Sequence, residues 1–581
     1  IPDNTLIASK NQGPCDCGDN KPDQTGGTNP INLGVANKYQ VETDYSTSDD
    51  AVLRFSRTYN SVATNGNGSG SGSQTRIGRQ WRHSYESNIE LSATSIASAF
   101  VNRADEKTLS FTLRSAGVAV PLGTTGAVWV PDADIPDRLV ALQDGGGAIT
   151  GWQYTNGADE VETYDASGRL LTITDRRGRL QTLTYSNAST PGSIAPTAGM
   201  LIRVEDWKGR YLGFTYTDVN HLATMTTPGG LYTYGYDARY NLVSITYPGG
   251  AVRQYLYENA TFKNAMTGIL DENGARYATY AYDSQGRAVS SEHAGGVEHY
   301  QLTYNTNSTV ATDPLGAQRT YNFSTVLGVV KSTGQSQPGG AGCGPASQAI
   351  TYDANGNVAS RTNFNGNLTT YSYDLARNLE TRRVEASGTP EARTVSTQWH
   401  GVWRLPVRVA EPKKLTTYVY NGDSYNSQTV TCAPTTATVS IPGGAQPIGM
   451  LCRKIEQATL DTNGSQGFSA AVAGSARTWS YTYSQYGQIL SADGPRTDLN
   501  DVTATIYYDV ADPDLGKRGN LATITDALGH VTQITAYDGN GRPLTLIDPN
   551  GLGTTLTYDA RDRLTGKSIG GETTTYTYDP A

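Results

Sequence analysis

Long apolar runs are missing from this chain. No stretch approaches the ~18 consecutive apolar residues of a membrane-spanning helix, so no membrane span is expected. Runs of one charge sign are missing too. Lys and Arg are interspersed with Asp and Glu, and the formal net charge is −9. That excludes the basic footprint of a nucleic-acid binder. Windows rich in Ala, Glu, Lys and Leu with a 3.6-residue period are absent, so few helices are expected. Phenylalanine is scarce at 8 residues, against 37 tyrosines and 64 glycines. With abundant threonine, this composition favours strands and turns.

The usual signatures of catalysis are also lacking. There is no Gly-x-Ser-x-Gly elbow, no P-loop and no His-Glu-x-x-His. Neither an enzyme nor a cofactor is expected. "EHAGGVEH" places Glu292, His293, Glu298 and His299 around a Gly-Gly, where a hairpin could converge metal ligands. The simpler reading is a solvated hairpin with cross-strand pairs, and no metal site is assigned. The repeated Asp residues read as turn formers rather than as a glycosidase pair.

Cysteines number five: Cys15, Cys17, Cys343, Cys432 and Cys452. The segment from Cys432 to Cys452 reads as strand, Pro-Gly-Gly turn and strand, a pattern that favours a disulfide over two buried thiols. A zinc site would need a further Cys/His pair, and none follows. The odd count and the candidate bridge lean towards an oxidising compartment. The chain starts at Ile1 with no charged-then-apolar leader, so it reads as processed or as a piece.

What the sequence does contain is a repeat. Tyr164-Asp165 opens "YDASGRL", Tyr236-Asp237 "YDARYNL", Tyr282-Asp283 "YDSQGRA", Tyr352-Asp353 "YDANGNV" and Tyr373-Asp374 "YDLARNL". Tyr537-Asp538 opens "YDGNGRPL", Tyr558-Asp559 "YDARDRL", and Tyr578-Asp579 begins another copy. Tyr483 opens a decayed copy, "YSQYGQIL". Adjacent copies lie 20 or 21 residues apart, as from Tyr537 to Tyr558 to Tyr578. Each period holds two turns about ten residues apart, built from Asp/Asn and Gly. Between turns run five or six residues of alternating character, so Tyr232, Tyr234 and Tyr236 share one face.

One period is therefore strand–turn–strand–turn. A lone hairpin is marginal. Hairpins in series stabilise one another and build one very long antiparallel sheet. Such a sheet must curl, close or be capped at its edges. The expected fold is all-β, a wound ribbon with tyrosine-lined faces.

These units resemble the YD repeats of the Rhs (rearrangement hotspot) family. "NPINLGVANKYQVETDY" (Asn29–Tyr45), "LRFSRTYNS" (Leu53–Ser61) and "GRQWRHSYE" (Gly78–Glu86) resemble the segment leading into such repeats. "WHGVWRLPVRVAEP" (Trp399–Pro412), followed by "TTYVYNGD", resembles a phrase recurring within them. The resemblance covers Asn29 to the end.

It implies antiparallel hairpins wound into a spiralling, cocoon-like β-shell. Such shells enclose a cargo polypeptide, often a toxin that forms the C-terminal part of the same chain. Bacterial polymorphic toxins, the B–C shells of insecticidal Tc complexes and the teneurins share this architecture. Other members are cell-wall-associated or surface proteins, and carbohydrate binding has been proposed for the repeats. Toxin-bearing members carry a self-cleavage element of the form Asp-Pro-x-Gly-Leu. Asp548-Pro549-Asn550-Gly551-Leu552 matches it, but intact repeats follow, and "DPLG" at Asp313 and "DALG" at Asp526 fill the same slot. It therefore reads as an ordinary turn.

The expected organisation is a Cys-containing segment at 1–28 and a lead-in region at 29–160. The first part of the repeat shell follows at 161–398. The Arg-Leu-Pro phrase and the Cys432/Cys452 insertion occupy 399–475, and shell resumes at 476–581. The expected role is a non-catalytic shell, secreted or at a bacterial cell surface, that encapsulates and delivers a C-terminal effector. Its partners would be that cargo or a second, shell-completing chain. The competing reading is a secreted or surface structural protein. Open sheet edges would permit self-association.

Overall fold

The structure, a computed structural model, describes residues 10–13, 30–48, 52–62, 76–93, 96–340, 342 and 344–579. Cys15, Cys17 and Cys343 lie outside the described residues. One antiparallel sheet of 35 strands runs from Arg138–Gln143 to Glu572–Thr575. Each strand pairs with the one before it and the one after it. The order is interrupted once, between Lys414–Tyr420 and Leu451–Thr459, which pair directly across an insertion. Among the described residues, no helix is long and apolar enough to cross a membrane.

Alternating strands put alternate turns on opposite edges of this sheet. On one edge, the repeat tyrosines from Tyr164 to Tyr558 each sit at a β-bulge. The register shifts at Thr163/Tyr164, Thr215/Tyr216, Gly235/Tyr236, Ala281/Tyr282, Thr351/Tyr352, Ser372/Tyr373 and Thr557/Tyr558. A bulge lengthens one strand locally and increases its twist. Bulges concentrated on one edge bend the whole ribbon in one sense, and the ribbon winds.

The winding is visible in contacts between turns far apart in sequence. Trp207 stacks against Tyr486 with ring centroids 4.4 Å apart. Lys208 donates to Asn520 Oδ1 at 2.5 Å. Arg210 reaches the Asn540 carbonyl at 3.5 Å. Arg561 bonds Glu272 Oε1 at 2.8 Å and lies over the Tyr247 ring. Asn273 donates to Asp579 at 2.6 Å.

Counted along the sheet, the paired turns at 206–210 and 508–520, 228–230 and 538–541, 247–250 and 559–562 are each 23 strands apart. An odd number is required. Two windings stack only if the tyrosine edge of one meets the opposite edge of the other, and in an antiparallel sheet that takes an odd offset. The second winding thus seats its tyrosine edge on the opposite edge of the first.

The lead-in region packs inside and below the first winding. Ile31–Asn32, Asn37–Ser46, Arg54–Asn60 and Trp81–His83 form a four-stranded sheet. Asn88–Ala93, Ala97–Asn102, Thr108–Ser115, Val118–Ala119 and Val128–Pro131 form a second, five-stranded sheet. Phe55 packs on Phe214 and Tyr234, and Trp81 meets the edge of Tyr255. These partners lie on the tyrosine-bearing face of the long sheet, which is therefore its inner face.

Fully buried Arg57 pairs with Asp44 at 2.7 Å and donates to the Tyr255 hydroxyl. A charge pair removed from water needs further hydrogen bonds to offset its desolvation. Tyr234 supplies one by donating to Asp44, while Arg57 Nη1 has no hydrogen-bond partner among the described residues. The lead-in backbone also caps the tyrosine edge of the first winding. Ile89 donates to the Gly168 carbonyl, Arg79 to that of Tyr240 and Leu222 to that of Arg76.

Candidate functional site: the tyrosine turn

The repeated turn is built by its first residue. Asp283 Oδ1 accepts the amides of Gln285 (2.9 Å) and Arg287 (3.0 Å), while Oδ2 accepts Arg287 Nε at 2.7 Å. Gly286 donates its amide to the Asp283 carbonyl from a left-handed conformation, φ 77°. Side-chain capture of amides two and four residues on is what Asp does best in a turn. Burial pushes the Asp283 carboxyl up, but the hydrogen bonds from Arg287 and Gln285 outweigh it and hold it below the usual carboxylate range.

Asp165, Asp237, Asp353, Asp538 and Asp559 repeat the pattern with Arg169, Asn241, Asn357, Arg542 and Arg563. Asp374 accepts only the Ala376 amide through its side chain. Asp579 instead meets Asn273 of the other winding.

Opposite-edge turns use the same chemistry. Asp206 takes the amides of Lys208 and Arg210, with Arg210 Nε at 2.8 Å. Asp548 takes those of Asn550 and Leu552. The Asp548–Leu552 segment thus has the geometry of the other turns. The Asp alone does not distinguish the two edges.

The tyrosine does. Tyr236, Tyr282, Tyr352, Tyr373, Tyr537, Tyr558 and Tyr578 each donate their hydroxyl to a carbonyl near the start of a preceding strand: Leu222, Met266, Ser332, Val358, Leu521, Pro543 and Leu564. The distances run from 2.5 Å for Tyr352 to 3.1 Å for Tyr558. Tyr164 is the exception and bonds Glu162.

Tyr185, Tyr216, Tyr257, Tyr304, Tyr420 and Tyr483 make the same stitch without an Asp after them. Anchoring on the Tyr-Asp pair misses all of them but Tyr483, which is legible as a decayed copy. The signal that finds them is a tyrosine 14 to 16 residues, or 32 for Tyr483, after an apolar or Pro strand-opening residue. Burial pushes the Tyr185 and Tyr216 hydroxyls up, so they stay protonated donors.

Turns that lack the glycine are informative. Tyr240 and Asp562 occupy its position with φ of 65° and 68°; in the turn after Tyr373, Arg377 stands there and the next residue, Asn378, takes φ of 50°. Such a conformation is disfavoured for a side-chain-bearing residue. Each side chain is held by a contact outside its own turn. Tyr240 stacks on His221 at 4.8 Å. Asn378 donates to the Ala133 carbonyl. Asp562 accepts Asn540 Nδ2 at 2.7 Å and pairs with Arg542 at 2.8 Å.

The insertion lies on the tyrosine edge. Cys432 and Cys452 are joined by a disulfide, Cα–Cα 5.4 Å. They pack with Val161, Trp403, Val439, Ile441, Ile448 and Tyr483. The hairpin Thr438–Ile441 and Gly444–Pro447 sits beneath the turn at 175–178, where Gly449 donates its amide to the Arg176 carbonyl. In "EHAGGVEH" the pairs are separate, His293 with Glu298 at 3.2 Å and His299 with Glu292 at 2.8 Å. Among the described residues, no three His, Cys, Asp or Glu side chains are grouped to hold a metal.

The geometry defines a class: a β-shell of stitched hairpins, wound on itself and filled at one end by its own lead-in region. The family follows from sequence models. The RHS Repeat model matches residues 216–252, 352–390, 517–552 and 537–568. A model described as Domain of unknown function (DUF6531) matches residues 28–111. The chain belongs to the Rhs/YD-repeat family.

No curated protein matches it in sequence. Three solved structures are similar. One is the Tc holotoxin pore of Photorhabdus luminescens, with 13% identity and TM-score 0.42, covering 81% of this chain and 22% of that one. Another is TcdB2-TccC3 without its hypervariable C-terminal region, with 11% identity and TM-score 0.38, covering 92% and 32%. The third is TcdB2-TccC3-TEV, with 13% identity and TM-score 0.35, covering 93% and 35%. This chain thus spans roughly a fifth to a third of the length of those chains.

Proposed function

We propose that this chain is the wall of a shell that encloses a polypeptide cargo. The supporting observation is where its inner face is packed. From Leu139 to Tyr280 that face forms one core with the lead-in residues Phe55, Tyr59 and Trp81. Further on, Tyr371, Tyr418 and Trp479 stand on the same face only half-buried and outside these cores.

That stretch is aromatic and charged at once. Arg383 is opposite Tyr371, Lys454 lies over Trp479, and a cleft of about 640 Å³ opens between Tyr371, Arg383, Glu385 and Arg393. Such a surface suits the containment of a chain without a fixed binding pose. We assign the wall no chemistry of its own and no metal or cofactor. Its action is confinement and release.

In this reading residues 1–28 precede the lead-in region of 29–160, whose last strands, Arg138–Gln143 and Ile149–Thr155, already open the wall. Segments 161–398 and 476–581 are wall, and 399–475 is an insertion in it. The cargo is a C-terminal toxin or effector delivered in bacterial competition or secretion, and Asp548–Leu552 stays uncut. A second reading, a secreted or cell-surface structural protein, is favoured by the Cys432–Cys452 bridge, which calls for an oxidising compartment.

Protease treatment of the full-length protein, followed by mass spectrometry, separates the two. A non-repetitive polypeptide that survives digestion until the wall is denatured supports the shell. If every segment outside the repeats is digested at once, the reading fails.

A further inference from the structure

The second winding covers only part of the edge it sits on. Its contacts run along the first winding's opposite edge as far as the turn Asp271–Gly274, where Glu272 meets Arg561 and Asn273 meets Asp579. The same edge continues through the turns at 293–299 and 313–316. Leu315, at the tip of the second, is 94% exposed, and Val297 is 59% exposed. A leucine that open on a turn tip, two turns beyond an established interface on the same edge, marks surface prepared for burial.

The chemistry of the edge continues as well. Where the windings touch, a carboxylate on the first winding receives an arginine from a tyrosine turn of the second. The next turn offers Glu292 and Glu298, each on a histidine, and the one after opens with Asp313.

We propose that the ledge from Glu292 to Gly316 is the docking surface for a further ribbon of Tyr-Asp-x-x-Gly hairpins. The ribbon keeps the 23-strand register. Its tyrosine turns lie over Val297 and Leu315, and a turn arginine faces Glu298. This rests on the shell reading and deepens it by naming the seat of the next piece of wall.

A second copy of this chain fits worse. Its tyrosine edges are packed against its own lead-in region and its own first winding. It can present only opposite edges, and the odd register does not pair two of those.

The test appends a duplicate of Gly539–Asp579 directly after Asp579. In register, the added tyrosine turns fall on 293–299 and 313–316. Hydroxyl-radical footprinting compares Val297 and Leu315 in the parent and extended chains, with exposed Val118 and Leu231 as references. Hydrogen exchange reports whether the added strands fold.

The expected result is loss of labelling at Val297 and Leu315 only in the extended chain, with the references unchanged. The Leu315→Asp variant of the extended chain should regain labelling at Val297. Undiminished labelling overturns the proposal, whether or not the added strands are protected. So does protection already present in the parent that grows with concentration alongside a dimer mass, which identifies a second copy. A protected cargo with an exposed ledge leaves the shell reading standing and removes only this inference. A covered ledge without any cargo does the reverse.

Discussion

The Tyr216 hydroxyl donates to the Leu201 carbonyl at 2.7 Å, from a side chain 6% exposed. That bond ties the last residue of one hairpin to the first strand of the same unit, beside a bulge that frees the carbonyl from regular pairing. It explains why the repeat uses tyrosine rather than phenylalanine. The ring fills the inner face and the hydroxyl satisfies a buried acceptor.

Removing the hydroxyl therefore depends on depth. Tyr216→Phe leaves a buried carbonyl short of a partner and should lower stability by about 1–2 kcal/mol. Tyr578→Phe removes the same bond at an exposed site and should be near neutral. Urea midpoints of the two variants check this. Equal shifts would count against the stitch.

Two glycines with the same backbone conformation isolate the docking of the lead-in region. Gly168 and Gly366 both have φ of 80°. A Cβ at Gly366 meets open space, whereas at Gly168 it runs into the Ile89 backbone. Gly366→Ala should cost about 1–2 kcal/mol in backbone strain alone. Gly168→Ala should cost more and raise hydrogen exchange at Ile89, where the Gly366 variant leaves it unchanged.

Glu106 gives the pH dependence a direction. Burial raises its carboxyl to about 8, against the pull of Arg82, and neither carboxylate oxygen has a hydrogen-bond partner. The folded state holds this proton where the unfolded chain has released it. Its contribution is therefore complete below the unfolded carboxyl range and is lost as pH rises towards 8. Glu106→Gln should flatten the decline in stability between pH 5 and 8. A variant with the wild-type slope would contradict this. At the acid end the sign reverses. Asp165 and Asp559, whose burial is outweighed by hydrogen bonds from their turns, lie below the usual range. Their contribution is lost as pH falls through that depressed range.

The disulfide should act locally. Cys432–Cys452 closes a loop of separation 20, worth about 3 kcal/mol in chain entropy. Reduction should increase exchange in Thr438–Pro447 and leave Leu222–Thr227 unchanged. Loss of protection throughout the long sheet would show that the insertion holds the windings together.

Much of this architecture is legible in the sequence because it is local. Asp-x-x-Gly-Arg writes a turn wherever it stands, and alternating tyrosines write a face. What the repeat does not encode is which turns meet. Asn540 looks like any turn residue, yet it receives Tyr45 and holds Asp562. Arg561 is an unremarked member of "YDARDRL" until Glu272 appears beneath it. The visible clue was departure from pattern: Tyr240 and Asp562 replace the turn glycine, and Asn378 turns left-handed one place after it, where a contact outside the turn compensates the strain. The stitch at Tyr185 or Tyr257 was hidden for a different reason. Its acceptor is a backbone carbonyl, which has no sequence signature.

The central claim is the 23-strand winding, and a cross-link tests it directly. A Cβ at Gly249 would lie 3.2 Å from the Ala560 Cβ, close to the span of a disulfide. The double variant Gly249→Cys, Ala560→Cys should form that bridge on oxidation, seen as a linked peptide by mass spectrometry. The off-register pair Gly274→Cys, Ala560→Cys should not. A bridge in the second pair, or in neither, would contradict the winding described here.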